Sequence, residues 1–304
     1  MQIYGNSPSI IVDASYYIFY RFFATHRWYS FQKKDSAEAN AAGAEANAAR
    51  AEANAADAEA GSEENTGEAG ITNDPAFVTA FIKHVTQDIK KWRKTYSVPK
   101  GNIYFCFDCA KETIWRNVHH TNYKGGRVQS RVFDSNIFPV FFKWFDAEKN
   151  DMGLDAIHIE KLEADDLAYL TAKKISSMCP DMKITVITND NDYLQMRTNK
   201  IQIINAQGVN LEKRSIGTPQ QDLLYKIILG DPSDNIKPIC ARLGESTAKK
   251  LALCDEHDRW AWIVKKGADC VQAYQRNTQM ISFDSIPQEY IDIWEEKYKW
   301  EVTA

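Results

Sequence analysis

Carboxylates arrive along this chain in five short groups: Asp13; Asp108; Glu163, Asp165 and Asp166; Asp190 and Asp192; Asp231 and Asp234. The first four groups fall where an apolar run of β-type residues stops. In an open α/β sheet the carboxyl ends of parallel strands converge on one edge, where such folds keep their sites. So many like charges in one place repel strongly unless cations neutralise them. Hard divalent ions take oxygen ligands, and the sites they form mostly act on phosphates.

The sharpest of these strings is E-A-D-D at 163–166. Glu163 and Asp166 are three apart at a helix start and share a face, with Asp165 beside them. Acids at a helix N-terminus also simply favour the helix dipole, and N-D-N-D at 189–192 also suits a plain Asx turn. The joint occurrence of the five groups carries the reading. Between the second and third groups lies T-N-Y-K-G-G-R, residues 121–127. Lys124 and Arg127 there are cations fit to meet a phosphate, and Tyr123 is an aromatic fit to stack on a base. The string L-G-E-S-T-A-K-K-L at 243–251 opens a helix after a glycine-containing turn. Backbone N–H groups at that start, with Lys249 and Lys250 one turn on, suit a nucleic-acid phosphate.

The elements that must position these groups are strands and helices in alternation. Ser9–Asp13 reads as a buried strand, followed by an aromatic-rich helix over Tyr16–Trp28. An amphipathic helix over Asn73–Tyr96 places Phe77, Phe81, Val85 and Ile89 on one face. Ile103–Asp108, Ala156–Glu160, Lys183–Thr188 and Ile201–Asn205 read as further strands, the last of them closing the sheet, and Glu163 opens a helix. This alternation predicts an α/β fold with a mostly parallel central sheet flanked by helices. From about residue 217 the pattern is all helical. Residues 37–64 repeat a seven-residue unit of the AEANAAG type with no Leu or Ile seam, so no coiled coil is expected. An alanine-rich, solvated insertion over 35–72, partly helical and without chemistry of its own, is the simplest reading.

At 304 residues and 44% hydrophobic, the chain can bury a substantial core. Residues 35–70 hold nine acids and one base, a charge of −8 against −4 for the whole chain, which leaves the remainder at +4. The part expected to fold is therefore compatible with a polyanionic partner. The six cysteines (106, 109, 179, 240, 254 and 270) lack a zinc-type pattern beyond one C-x-x-C, and no disulfide framework is expected. With no long apolar run and no signal-peptide pattern at the N-terminus, the reading is a soluble, intracellular protein without a membrane partner.

Taken together, the strings IIVDAS, FCFD, NYKGGR, EADD, TNDND, GDPSDN and LGESTAKKL resemble, in order, the 5′ nuclease superfamily of flap endonucleases. Within it the chain is similar to bacteriophage 5′→3′ exonucleases and to the 5′ nuclease domain of bacterial DNA polymerase I. RNTQMISFDSIP, residues 276–287, resembles the family's segment after its DNA-binding helices.

The resemblance implies a PIN-like nuclease core over residues 1–216, with a helical arch region at 111–150. It also implies a helical, helix–hairpin–helix-like DNA-binding region over 217–304. Asp13, Asp108, Glu163 and Asp165 would serve one metal ion and Asp190, Asp192 and Asp231 a second, with Asp166 and Asp234 supporting. The cofactor implied is two Mg²⁺ ions, with Mn²⁺ as a substitute. Lys124 and Arg127 match the basic pair at the foot of the arch, Tyr123 the stacking position, and Gly244, Lys249 and Lys250 the duplex contact. The implied partner is DNA with 5′ ends, flaps or RNA-primer junctions, cut by a monomer in replication or repair. One departure stands out: the family's glycine-x-glycine turn reads here as Arg242, Leu243 and Gly244. A PIN-type ribonuclease, or a structure-specific DNA-binding protein without catalysis, are the alternatives.

Overall fold

The computed structural model describes residues 1–5, 7–51, 70–120, 122–125 and 132–303, with the backbone alone for 34–51. In chain order the strands and helices are β1 (Gln2–Tyr4), β2 (Ser9–Asp13), α1 (Ala14–Ala51), α2 (Pro75–Tyr96) and β3 (Ile103–Cys106). Then follow α3 (Ile137–Met152), β4 (Leu154–Ile157), α4 (Ala164–Met178), β5 (Ile184–Ile187) and β6 (Ile201–Ile204). The helices α5 (Pro219–Leu229), α6 (Glu245–Leu253), α7 (Glu256–Lys265), α8 (Ala268–Ile281) and α9 (Gln288–Tyr298) precede β7 (Glu301–Thr303). No helix among the described residues is long and apolar enough to cross a membrane.

The main sheet is parallel throughout, in the order β4-β3-β2-β5-β6. Its inner strands are continuous apolar runs, as strands buried on both faces require: all four residues of β3 and of β5 are buried, and so is β2 up to Asp13. Leu167, Ala168 and Ile175 of α4 pack in one core with Ile11, Tyr104 and Val186 of the sheet. From β2 the chain builds outward to β3 and β4, then returns to the other side of β2 to lay down β5 and β6. The reversal lies between β2 and β5, which is where open sheets of this kind leave a crevice at their carboxyl edge. Asp13 ends β2 at that crevice.

The chain forms two compact units. One comprises Met1–Tyr17, Lys91–Gln129 and Ala147–Ala304, and holds both sheets and all the helices from α4 onward. The other comprises Ile18–Lys90 and Ser130–Asp146. Within it the α2 stripe of Phe77, Phe81, Val85 and Ile89 is fully buried, and Phe77 meets Phe22 edge-on at 5.7 Å.

Several boundaries differ from the sequence reading. β4 covers Leu154–Ile157 rather than residues 156–160. Phe107 N still donates to Ile157 O at 2.9 Å, but Cys109 N, the next donor on that side, bonds Leu162 O at 3.2 Å, so the ladder ends there. On the outer edge His158 N donates to the Tyr298 hydroxyl at 2.7 Å, and that hydroxyl sits 3.0 Å from His158 O. β6 is not the last strand. β7 pairs parallel with β1, bringing the two ends of the chain together as a separate two-stranded sheet. α1 runs far past Trp28, through the first repeats of the alanine-rich segment to Ala51; residues 52–69 lie outside the described residues. The 111–150 stretch opens with two short 3₁₀ turns and ends in α3, with 126–131 likewise outside. Cys240 and Cys270 are joined as a disulfide with their Cα atoms 5.5 Å apart, a pairing not expected from their spacing.

Candidate metal centre

Five short segments carry the carboxylates. Asp13 caps the start of α1 through Tyr16 N at 3.0 Å, and its other oxygen accepts from Thr188 Oγ1 at 3.0 Å and the Tyr193 hydroxyl at 3.1 Å. Asp108, just past β3, accepts from Ala164 N at 2.8 Å and so ties its strand end to the first turn of α4. Glu163 is the N-cap residue of α4, followed by Asp165 and Asp166 in its first turn. Asp190 caps the 3₁₀ turn Asn191–Met196 after β5 by accepting from Asp192 N at 2.9 Å. Asp231 caps a second such turn, accepting from Ser233 N at 2.8 Å and Ser233 Oγ at 2.7 Å, with Asp234 at its end.

Two groups result. One oxygen from each of Glu163, Asp165 and Asp166 lie within 4.8 Å of one another, and so do oxygens of Asp192, Asp231 and Asp234. The Tyr123 hydroxyl stands between them, 3.0 Å from Glu163 Oε2 and 3.2 Å from Asp234 Oδ2. Lys124 adds a second bridge: its ammonium pairs with Glu163 Oε1, and its backbone N–H donates to Asp234 O at 3.1 Å.

The electrostatics fit a site built for cations. Burial, and then the neighbouring Asp108, push the Asp13 carboxyl up to about 7. Burial, followed by Asp190, pushes Asp192 up to about 7 against the pull of Lys226. Asp165 is driven well above the usual carboxylate range by burial and by Asp166. Carboxylates that resist ionisation beside one another lack positive charge, and a hard cation supplies it. Glu163 and Asp231 go the other way. For each, burial favours the neutral acid but is outweighed, by Lys124 and Arg116 for Glu163 and by Lys226 for Asp231. The donor set is entirely carboxylate oxygen, which suits a hard divalent cation.

Two of the sequence-derived site residues are engaged within the protein. Asp166, offered as a supporting ligand, already accepts from Arg116 through both oxygens at 2.7 and 2.9 Å, from Trp115 Nε1 at 2.9 Å and from Glu163 N at 3.3 Å. It is fully buried, and through Arg116 and Glu163 N it is tied to Glu163 within the same carboxylate group. Tyr123, offered as a stacking platform, is 5% exposed and packs with Ile227 and Met280, so its ring face is turned inward. Gly244 is the N-cap residue of α6, with open space where a Cβ would stand, and Lys249 and Lys250 are exposed on that helix. Arg242 of the altered turn takes the left-handed conformation, φ 60°, that a glycine would adopt freely. Arg127 lies outside the described residues.

Sequence reasoning missed the cations built into the site. Arg116, 1% exposed, bridges Glu163 and Asp166. Lys226 of α5 pairs with both Asp192 and Asp231, the latter at 2.5 Å. Neither stands at a spacing from the acids that marks it in the sequence.

A parallel sheet carrying its acids at a switch-point crevice defines the class: an open α/β core with a candidate cation site and a helical C-terminal region. The chain belongs to the 5′-3′ exonuclease, N-terminal resolvase-like domain family, whose model matches residues 65–221. It is 26% identical over 226 residues to the ribonuclease H of Enterobacteria phage T4, covering 68% of this chain and 73% of that protein. It is 31% identical over 161 residues to DNA polymerase I of Bacillus caldotenax, spanning 49% of this chain but only 17% of the polymerase. The fold matches a crystal structure of the bacteriophage T5 D15 flap endonuclease with DNA and metal ions. That match has a TM-score of 0.57 at 16% identity, over 95% of this chain and 97% of the other. The T5 5′-exonuclease with bound zinc matches equally, with a TM-score of 0.57 at 15% identity, over 95% and 97% of the two chains.

Proposed function

We propose that this nuclease hydrolyses phosphodiesters near 5′ ends, flaps and RNA-primer junctions of DNA, in replication or repair, using two Mg²⁺ ions. The observation that carries the reading is the pair of carboxylate groups at the carboxyl edge of the sheet, bridged by Tyr123 and Lys124. Asp13, Asp108, Glu163 and Asp165 would hold one ion, and Asp190, Asp192 and Asp231 the other, with Asp234 supporting. When bound, such ions lower the pKa of a water and neutralise charge on the phosphoryl and leaving oxygens.

The chain's own residues do the rest. Arg116 and Asp166 hold Glu163 in place. The Lys124 ammonium, with Arg127, offsets negative charge that develops on the phosphoryl oxygens. Gly244, Lys249 and Lys250 at the start of α6 take a duplex phosphate, which orients the substrate without reading its sequence. A water oxygen bonds to phosphorus as the bond to the 3′ oxygen breaks; one water proton stays with the new phosphate and the other ends on the leaving 3′ oxygen. The products carry a 5′-phosphate and a 3′-hydroxyl, and no side chain is covalently modified.

The names of its relatives support this substrate class: one is a ribonuclease H, another a DNA polymerase, and the matched fold is a flap endonuclease crystallised with DNA. Cleavage of 5′-labelled double-flap DNA, RNA–DNA hybrid and single-stranded RNA, each in Mg²⁺ and in EDTA, tests it. Flap and hybrid should be cut only with metal. Cutting of single-stranded RNA alone would replace this reading with a PIN-type ribonuclease.

A further inference from the structure

The last residues of α8 and the turn after it are gripped from two sides. Arg116 Nε donates to Met280 O at 2.8 Å while its guanidinium holds Glu163 and Asp166. Gln195, at the end of the turn that carries Asp192, donates to Ile281 O at 3.1 Å and to Asp192 O at 2.9 Å. Its carbonyl oxygen accepts from Phe283 N at 3.0 Å. Both N–H groups and the oxygen are thus used, and only a carboxamide offers two donors and an acceptor in that fork. One turn earlier in α8, Asn277 donates to Ile227 O at 2.9 Å and Lys237 O at 2.8 Å, fixing the helix to α5 and to the turn that leads to Gly244.

We propose that Gln195 is a positioning residue that ties the Asp190–Asp192 turn to the end of α8, so that the helical region holds the second carboxylate group in its metal-binding arrangement. The inference rests on the two-metal reading above. It makes occupancy of the second group and order in the Met280–Phe283 segment reciprocal, since each stabilises the arrangement the other needs.

Two substitutions and one measurement on the unaltered protein test it. Gln195→Glu keeps the shape but turns charged oxygens toward the carbonyls of Asp192 and Ile281, and Gln195→Met keeps the length without polar atoms. Outer-shell partners of metal ligands typically change metal affinity by 10–100-fold. The half-saturating Mg²⁺ for single-turnover cleavage should therefore rise about tenfold in both variants, with cleavage recovered at excess Mg²⁺ and DNA affinity in EDTA unchanged. In the unaltered protein, hydrogen exchange at the Phe283 amide should slow several-fold on adding Mg²⁺. A role in folding alone would lower the melting temperature and leave the Mg²⁺ dependence where it was. Folded variants with unshifted half-saturation overturn the inference. If neither variant folds, Phe283 exchange that ignores Mg²⁺ overturns it instead. Unaltered protein that is inert in Mg²⁺ takes down the two-metal reading and this inference together, whereas metal-dependent cleavage with unshifted variants takes down the inference alone.

Discussion

At the scale of residues, Glu163 and Asp192 each sit in a closely balanced field of charge. Arg116 and Lys124 both serve Glu163, but Arg116 is sealed in the core while the Lys124 side chain keeps 15% of its surface exposed. Of the two cations, Lys124 is the less buried, and in the proposed reading it is the one placed to meet a phosphate. Lys124→Ala should therefore slow single-turnover cleavage by about 100-fold or more, with DNA affinity within about twofold; an unchanged rate would remove Lys124 from catalysis. Asp13 and Asp192 make the metal-free protein sensitive to pH. Their folded pKa values, about 7, stand above the ordinary 3.8, so their contribution to stability is complete below 3.8 and is lost as pH rises through about 7. The depressed acids Glu163 and Asp231 act in the opposite sense, below their ordinary values. In EDTA the melting temperature should thus fall between pH 5 and pH 8, and Mg²⁺ should remove most of that fall; a flat profile in EDTA would contradict the electrostatic picture. The acids themselves were legible because each interrupts an apolar run at a strand or helix boundary. Arg116 and Lys226 were not, because a buried counter-cation is defined by what folds around it, 47 residues away in the case of Arg116 and Glu163.

At the scale of elements, the inner strands were readable because both faces are buried and the sequence is apolar without alternation. The ends were not. Where β4 stops is set by the turn into α4, since Cys109 N, the next donor from the β3 side, bonds Leu162 O instead. β7 is three residues long, with Glu301 and Val302 exposed, so it carries no burial pattern at all and exists through its pairing with β1. The turn before α6 shows a different conflict between local preference and fold. Arg242 sits at φ 60°, a conformation that costs an L residue roughly 1–2 kcal/mol. Arg242→Gly relieves that cost but adds freedom to the unfolded chain, for a net gain of about 0.5–1 kcal/mol. A rise of about 2 °C in melting temperature is the expected outcome. A fall would mean that the Arg242 side chain stabilises the turn by more than the backbone loses.

At the scale of the whole molecule, the acidic overall charge conceals a balance set by one segment. With residues 35–70 set aside, the remainder stands at +4, and divalent ions at the two carboxylate groups would raise it further. The fold class was readable from alternation alone, whereas the division into two compact units was not, since each unit gathers stretches far apart in sequence. Family membership and the strand-edge acids converge on one claim, that metal held by these carboxylates cuts a phosphodiester near a 5′ end. Asp165 tests that claim with least ambiguity: it lies among the first group, and its pKa is raised by burial and by Asp166. The measurement is single-turnover cleavage of a 5′-labelled double-flap DNA in Mg²⁺ by the unaltered protein and by Asp165→Asn, with DNA binding followed in parallel. The account predicts a cut near the junction by the unaltered protein, and a variant that binds the same DNA without cutting it. Near-normal turnover by Asp165→Asn would contradict it.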